Sequence, residues 1–293
     1  MLYDISLSIS YTYAAPSVQA RNVLRVLPLN RPNEQRRLSG EVSFEPRPQE
    51  RADWTDFFGN AITEIGFQQP LTRLTVHLKS RVERMARPPQ LDLSPNRRRL
   101  AEELAAMPGL APDSPHHYLA PSPRVSFDAS ITRFVGSILR EGGTVLAAMC
   151  DVGRALHREM RFDAEATDVN TAPSDSFRNR HGVCQDFSHI MIAGLRAHGI
   201  PAGYVSGFLR TEPPRGQPRL EGADAMHAWV RVWCGAELGW VEYDPTNDLM
   251  VGADHVSVAV GRDYSDVAPL KGAVRSSGGQ KSRHAVDMVP LAE

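Results

Sequence analysis

His181-Gly182-Val183-Cys184-Gln185-Asp186-Phe187-Ser188-His189 is the densest local signal in the chain. Downstream of the cysteine, apolar residues fall at Phe187, Ile190, Met191, Gly194 and Leu195. That is the i, i+3, i+4, i+7, i+8 spacing of one buried helical stripe. Gly199 and Pro201 follow where a helix takes a terminal glycine and cannot pass through a proline. Gly182 lets the chain turn sharply, so Cys184 is expected at the helix N-terminus. Free backbone N–H groups and the positive end of the dipole favour a thiolate there, the nucleophilic form of cysteine. The same N–H groups can hold an oxyanion. The plainer alternative is that Cys184 is a small buried hydrophobe.

A nucleophile of this kind needs a base. Ala225-Met226-His227-Ala228-Trp229-Val230-Arg231-Val232-Trp233 alternates strictly, with Met226, Ala228, Val230 and Val232 on one strand face. His227 shares the other face with Trp229, Arg231 and Trp233. Trp240 to Asp244 reads as a second short strand, ended by Pro245. The stretch Gly235 to Gly239 can join the two as an antiparallel hairpin. His227 and Asp244 would then lie within a few residues of level. A carboxylate there can fix the histidine's tautomer while its other nitrogen serves a thiol, the logic of a nucleophile–base–acid triad. Alternatively, His227 is a histidine packed beside tryptophans, and Asp244 is a turn-initiating residue before proline.

Further out, the signals describe the scaffold. Tyr3, Ile5, Leu7, Ile9 and Tyr11 alternate with polar residues, as do Leu74, Val76, Leu78, Ser80 and Val82. Both are the period of a half-buried strand. Val23 to Leu27 repeats the signal, and Asp56-Phe57-Phe58-Gly59-Asn60 reads as a tight turn. Residues 1–87 are therefore expected to form a small antiparallel β domain, with Pro88-Pro89 breaking the pattern. Arg97 to Met107, Asp128 to Arg140 and Val145 to Met160 have helical character. Pro108 to Pro123, with five prolines and the pair His116-His117, reads as an irregular exposed connection. Residues 276–293 begin with small polar residues and are expected to be a flexible tail.

The 293 residues carry 42% hydrophobic and 23% charged residues, which excludes wholesale disorder. The formal net charge of -1 gives no global pull toward nucleic acid or an anionic membrane, so neither is an expected partner. Three cysteines, Cys150, Cys184 and Cys234, do not make a disulfide framework and suit a reducing compartment. The first residues show no basic region followed by an apolar run, and no segment approaches the roughly 20 apolar residues of a membrane helix. A cytoplasmic location is the expectation, and oligomeric state is not legible.

Three strings together resemble bacterial transglutaminase-like proteins: Gly182-Val183-Cys184-Gln185-Asp186-Phe187, His227-Ala228-Trp229-Val230 and Asp244-Pro245-Thr246-Asn247. Gly199-Ile200-Pro201-Ala202 leading to Tyr204-Val205-Ser206-Gly207, and Val260 to Val267, add to the likeness. The matches spread over residues 165 to 272, and the β-rich first segment resembles the domain that often precedes this core. The resemblance implies an α+β fold: a papain-like transglutaminase core, its nucleophile helix packed on an antiparallel sheet, behind a small all-β N-terminal domain. The core and its helical lead-in would occupy residues 88–275. It implies that Cys184, His227 and Asp244 carry the family triad; no cofactor and no metal are expected. Arg231 and Glu242 depart from what many relatives carry.

The expected activity is hydrolysis of a peptide or amide through a thioester, with amine acceptance (a transglutaminase) as the alternative. A non-catalytic binding module is the rival from another class. Asp186, Tyr204 and Trp229 are the candidate substrate contacts, although Asp186 in a first helical turn and Trp229 beside the base also have structural uses. Cys150 is expected in the core, and Cys234, at a hairpin end, as the competing thiol. A zinc site built from Cys184, His189 and His227, with Asp186 completing it, lacks the paired spacing of structural zinc.

Overall fold

The computed structural model describes residues 1–85, 91–211, 222, 224–275 and 279–291. Five strands come first: β1 (Leu2–Leu24), β2 (Gln35–Glu45), β3 (Glu50–Thr55), β4 (Ala61–Phe67) and β5 (Leu71–Arg84). The helical part follows with α1 (Arg97–Ala106), α2 (Ala129–Ile138), α3 (Val145–Glu159), β6 (Arg161–Phe162), α4 (Pro173–Asn179), β7 (His181–Gly182) and α5 (Cys184–Ala197). A strand-rich segment closes the chain: β8 (Ala202–Leu209), β9 (Ala225–Trp233), α6 (Gly235–Leu238), β10 (Trp240–Asp244), β11 (Leu249–Met250), β12 (His255–Gly261), α7 (Tyr264–Val267), β13 (Leu270–Arg275) and β14 (Gln280–Leu291).

The first sheet is built on β1. Residues Leu2 to Tyr13 lie between β5 and β14, and Ala20 to Leu24 lie between β4 and β13. The alternation of the sequence is the alternation of burial: Tyr3, Ile5, Leu7, Ile9 and Tyr11 face the core, as do Leu74, Val76, Leu78, Ser80 and Val82. The second sheet has the order β11-β10-β9-β8-β12, antiparallel throughout.

Two expectations of organisation are corrected. The expected flexible tail contains a twelve-residue strand, β14, which pairs with β1 from Leu2↔Leu291 to Tyr13↔Gln280. Backbone hydrogen bonds and the buried Val286 and Met288 hold it. Both β13 and β14 belong to the N-terminal sheet, so the β unit is built from both ends of the chain. The expected boundary at 87/88, with Pro88-Pro89, lies outside the described residues. The proline-rich connection is also more than an exposed loop. It contains a 3-10 turn, Pro115–Tyr118, and the Tyr118 ring is fully buried.

The helix α5 is the centre of the core. β8 and β9 pack on one side of it, and α2, α3 and α4 on the other. Every residue from Gln185 to Arg196 is buried, so the expected stripe is instead burial all round. Its polar residues therefore need partners. Arg196 donates to the carbonyls of Ala202, Ala120 and Arg262 and to Ser122 Oγ, tying four segments together. Burial pushes its guanidinium down to about 10.

Candidate active site

Cys184 is the first residue of α5, and its side chain is half-buried. The approach of the chain to it is held by Asp186. The Asp186 carboxylate accepts from Val183 N–H at 2.8 Å, Thr167 Oγ1 at 2.6 Å and Ser176 Oγ at 3.0 Å. Gly182 has to be a glycine, because a Cβ there would sit 2.6 Å from Asp186 Oδ2. Cys184 and Gln185, in the first turn, have backbone N–H groups that no helical carbonyl can take.

β9 and β10 pair with Tyr243 opposite Val230, which sets Asp244 level with Trp229 and diagonal to His227. His227 Nε2–H donates to Asp244 Oδ2 at 2.7 Å, with both side chains buried. Nε2 is thereby committed, and Nδ1 is the nitrogen left to face Cys184. Burial alone would push the imidazole down. The adjacent Cys184, with hydrogen bonds to Asp244 and Cys184, outweighs burial and pushes it up to about 10. Asp244 is fully buried and collects five donors. Oδ1 accepts from the backbone N–H of Thr246 and Asn247, while Oδ2 accepts from His227, His255 Nε2 at 3.2 Å and Asn247 Nδ2 at 2.7 Å. Burial would raise its carboxyl, but these donors hold it well below the usual carboxylate range. The turn-initiating and histidine-orienting readings of Asp244 are therefore both satisfied, one by each oxygen.

The structure thus brings Cys184, His227 and Asp244 together. It does not give the other three candidates the surface expected of them. Asp186, Tyr204 and Trp229 are 1%, 2% and 0% exposed. Asp186 is engaged as described, and Tyr204 packs against His189 and Tyr264. Trp229 packs against both His227 and His255 and donates its indole N–H to Glu242 at 2.8 Å. These side chains support the site and have no open face for substrate.

Glu242 is buried and also pairs with Arg31, from the segment between β1 and β2, at 2.5 Å. Arg31 donates to Ser257 Oγ as well. Arg231 is buried too, its guanidinium 3.8 Å from the centre of the Trp240 ring and 5.4 Å from that of Tyr118. The two departures from the family pattern are therefore positions where other parts of the chain pack on the core. Cys234, expected as a competing thiol, is wholly buried, and burial pushes it far up. Cys150 is half-buried against the core beside Met250.

The zinc set considered above is not assembled. His189 accepts from the Tyr264 N–H, and burial pushes its imidazole down to about 4. Among the described residues, the group with ligand atoms close enough for an ion is His227, Asp244 and His255, within 4.8 Å of one another. Those atoms already hydrogen-bond to one another. His255 escaped the sequence reading. Its signal was a lone histidine opening an otherwise apolar strand, His255-Val256-Ser257-Val258-Ala259-Val260.

The sequence profile described as Transglutaminase-like superfamily matches residues 133–245, and that of the bacterial transglutaminase-like N-terminal region matches residues 3–83. An uncharacterized protein of Mycobacterium tuberculosis is 31% identical over 99% of this chain and 90% of its own length.

The chain belongs to the transglutaminase-like superfamily.

A solved structure of a candidate cysteine protease from Cytophaga hutchinsonii shares the fold over the whole chain and 91% of its own, with a TM-score of 0.78 at 20% identity. A Pseudomonas aeruginosa protein named protein-glutamine gamma-glutamyltransferase is 38% identical over 82 residues, 28% of this chain and 12% of its own. Among the described residues, no helix is long and apolar enough to cross a membrane.

Proposed function

We propose that the protein is a cysteine-dependent amide hydrolase that works through a thioester, with Cys184 as nucleophile, His227 as acid and base, and Asp244 as the group that orients His227. The observation that carries the reading is the 2.7 Å bond from His227 Nε2 to a fully buried Asp244, which leaves Nδ1 for Cys184. With His227 pushed up to about 10, its imidazole holds a proton at neutral pH beside Cys184, which reacts as the thiolate. The thiolate attacks the amide carbonyl, and the oxyanion is met by the free N–H groups of the first turn of α5. His227 Nδ1–H protonates the leaving amine, the C–N bond breaks, and an acyl thioester remains. Water, deprotonated by His227, then attacks the thioester and releases a carboxylic acid and the thiol.

Water as acceptor is supported by the partial exposure of Cys184. The second reading, transfer to an amine, is favoured by the name of the Pseudomonas relative. The test compares wild type with Cys184→Ala on amide libraries, with and without an added primary amine. Hydrolysis lost in Cys184→Ala supports the proposal. Unchanged activity in that variant removes the enzyme reading, and amine incorporation without hydrolysis moves the assignment to a transglutaminase.

A further inference from the structure

A groove of about 680 Å³ runs between the N-terminal sheet and the loops of the core. Its walls include Tyr11, Tyr13, Tyr264, Arg124, Lys271 and His284. Two of its edges touch the chain beside the proposed catalytic pair. Val169, on one edge, accepts at 3.5 Å from Gln185, the residue after Cys184. His284, on another, lies 3.4 Å from the sulfur of Met226, the residue before His227. The groove therefore borders the residues that flank Cys184 and His227 in the chain.

Its charge is one-sided. Among the described residues that line it there is Arg124 and Lys271 but no aspartate or glutamate. Among the described residues, the Arg124 guanidinium donates to neutral oxygens, Val169 O at 2.7 Å and Asn170 Oδ1 at 3.1 Å. Lys271 reaches a carbonyl, Ser265 O, at 3.4 Å. The neighbouring carboxylates are committed elsewhere. Asp266 pairs with Arg262 at 2.8 Å. Asp263 is buried beneath the groove, takes the backbone N–H groups of Arg124 and Ser265, and offsets the buried charge of Arg196. Two cationic side chains that face an open groove, with no carboxylate partner among the described residues, form a receptor for an anion. The tyrosine walls give that receptor apolar faces and hydroxyls suited to a peptide.

We infer that this groove is the substrate-binding cleft and that it selects an acidic peptide, holding a carboxylate of the substrate on Arg124 and Lys271 close to the amide that Cys184 attacks. The inference rests on the amide chemistry proposed at Cys184.

The test uses hexapeptides that carry Glu, Gln or Lys in turn at each position around a central amide. Turnover is followed by mass spectrometry, and iodoacetamide labelling of Cys184 runs in parallel. Glu should exceed Gln in kcat/KM by about tenfold at one position or more, and Lys should be the poorest. Raising the salt to about 1 M should shrink the preference, because exposed charges are then screened within about 3 Å. Arg124→Gln should lower the Glu/Gln ratio. Lys271→Glu, at an exposed position where folding is not at stake, should turn the preference toward Lys. Rapid labelling of Cys184 with equal rates for Glu and Gln, or with no peptide turned over, overturns the groove assignment and leaves the catalytic reading standing. Labelling no faster than an ordinary thiol overturns the catalytic reading, and the groove assignment falls with it.

Discussion

Replacing Arg31 by methionine isolates what the N-terminal β unit does for the core. The Arg31 guanidinium lies 2.5 Å from Glu242, and the two side chains are only 14% and 7% exposed. Burial alone pushes the Glu242 carboxyl up, and Arg31 together with the Trp229 indole N–H overrides it and holds it down. Without Arg31, Glu242 is a buried charge with the indole as its remaining strong donor. Removing one partner of such a pair costs about 3–5 kcal/mol. A domain of this size loses about 2–4 °C in Tm per kcal/mol, so the midpoint should fall by roughly 10 °C. The pH dependence follows from the sign of the shift. In the wild type, Glu242 is depressed, so its contribution is present above the unfolded value near 4.5 and is lost as pH falls below it. In Arg31→Met the shift is reversed, and Glu242 costs stability above that value. The deficit should therefore be largest near pH 8 and shrink toward pH 5 as Glu242 takes up a proton. Arg31→Met/Glu242→Gln should recover about 2 kcal/mol of the loss. Thermal melts of wild type, Arg31→Met, Glu242→Gln and the double variant at two pH values, read by tryptophan fluorescence, supply the numbers. A single-variant loss below about 1 kcal/mol, or a loss that does not change between the two pH values, refutes the reasoning.

Four further outcomes are expected. Hydrolysis should fall on the alkaline side near pH 10, where His227 loses the proton it donates to the leaving amine; a stopped pH–rate series checks it. The raised His227 also contributes stability that is complete below its unfolded value of about 6.5 and is lost as pH rises through about 10, so His227→Asn should flatten stability over that window in chemical denaturation. Asp186→Ala leaves Val183 N–H, Thr167 and Ser176 without their common acceptor, and should cost about 2–4 kcal/mol while slowing alkylation of Cys184; Asp186→Asn should restore part of both. Deleting residues 280–291 uncovers one edge of β1 from Leu2 to Tyr13 and should drive the protein into aggregates on size exclusion.

The part of the fold that was legible is the part whose signal is local. The helix α5 came from its stripe and its Gly199–Pro201 stop, and β1 and β5 from their alternation. β14 was not legible, because among its described side chains only Val286 and Met288 are fully buried, and two inward apolar positions do not make a period. The central burial of α5 was hidden for the opposite reason: its inner polar residues, Asp186, His189 and Arg196, take partners from segments remote in sequence. In the site, the place of Cys184 at the helix start and of His227 beside Asp244 on paired strands was legible through spacing and family likeness. The burial of Asp186, Tyr204 and Trp229 was not legible, since residue type shows polarity or bulk while burial depends on what packs over it. His255 and Arg31 were silent because their partners, Asp244 and Glu242, are reached only through the tertiary fold.

The central claim is that His227, oriented by Asp244, keeps Cys184 reactive. It is tested most directly by the rate of iodoacetamide alkylation at Cys184 against pH, site-resolved by mass spectrometry, in wild type and His227→Asn. The account predicts that wild-type Cys184 reacts at neutral pH well ahead of the buried Cys234 and of an ordinary exposed thiol, and that the advantage disappears in His227→Asn. Equal rates for the two proteins across the neutral range contradict it.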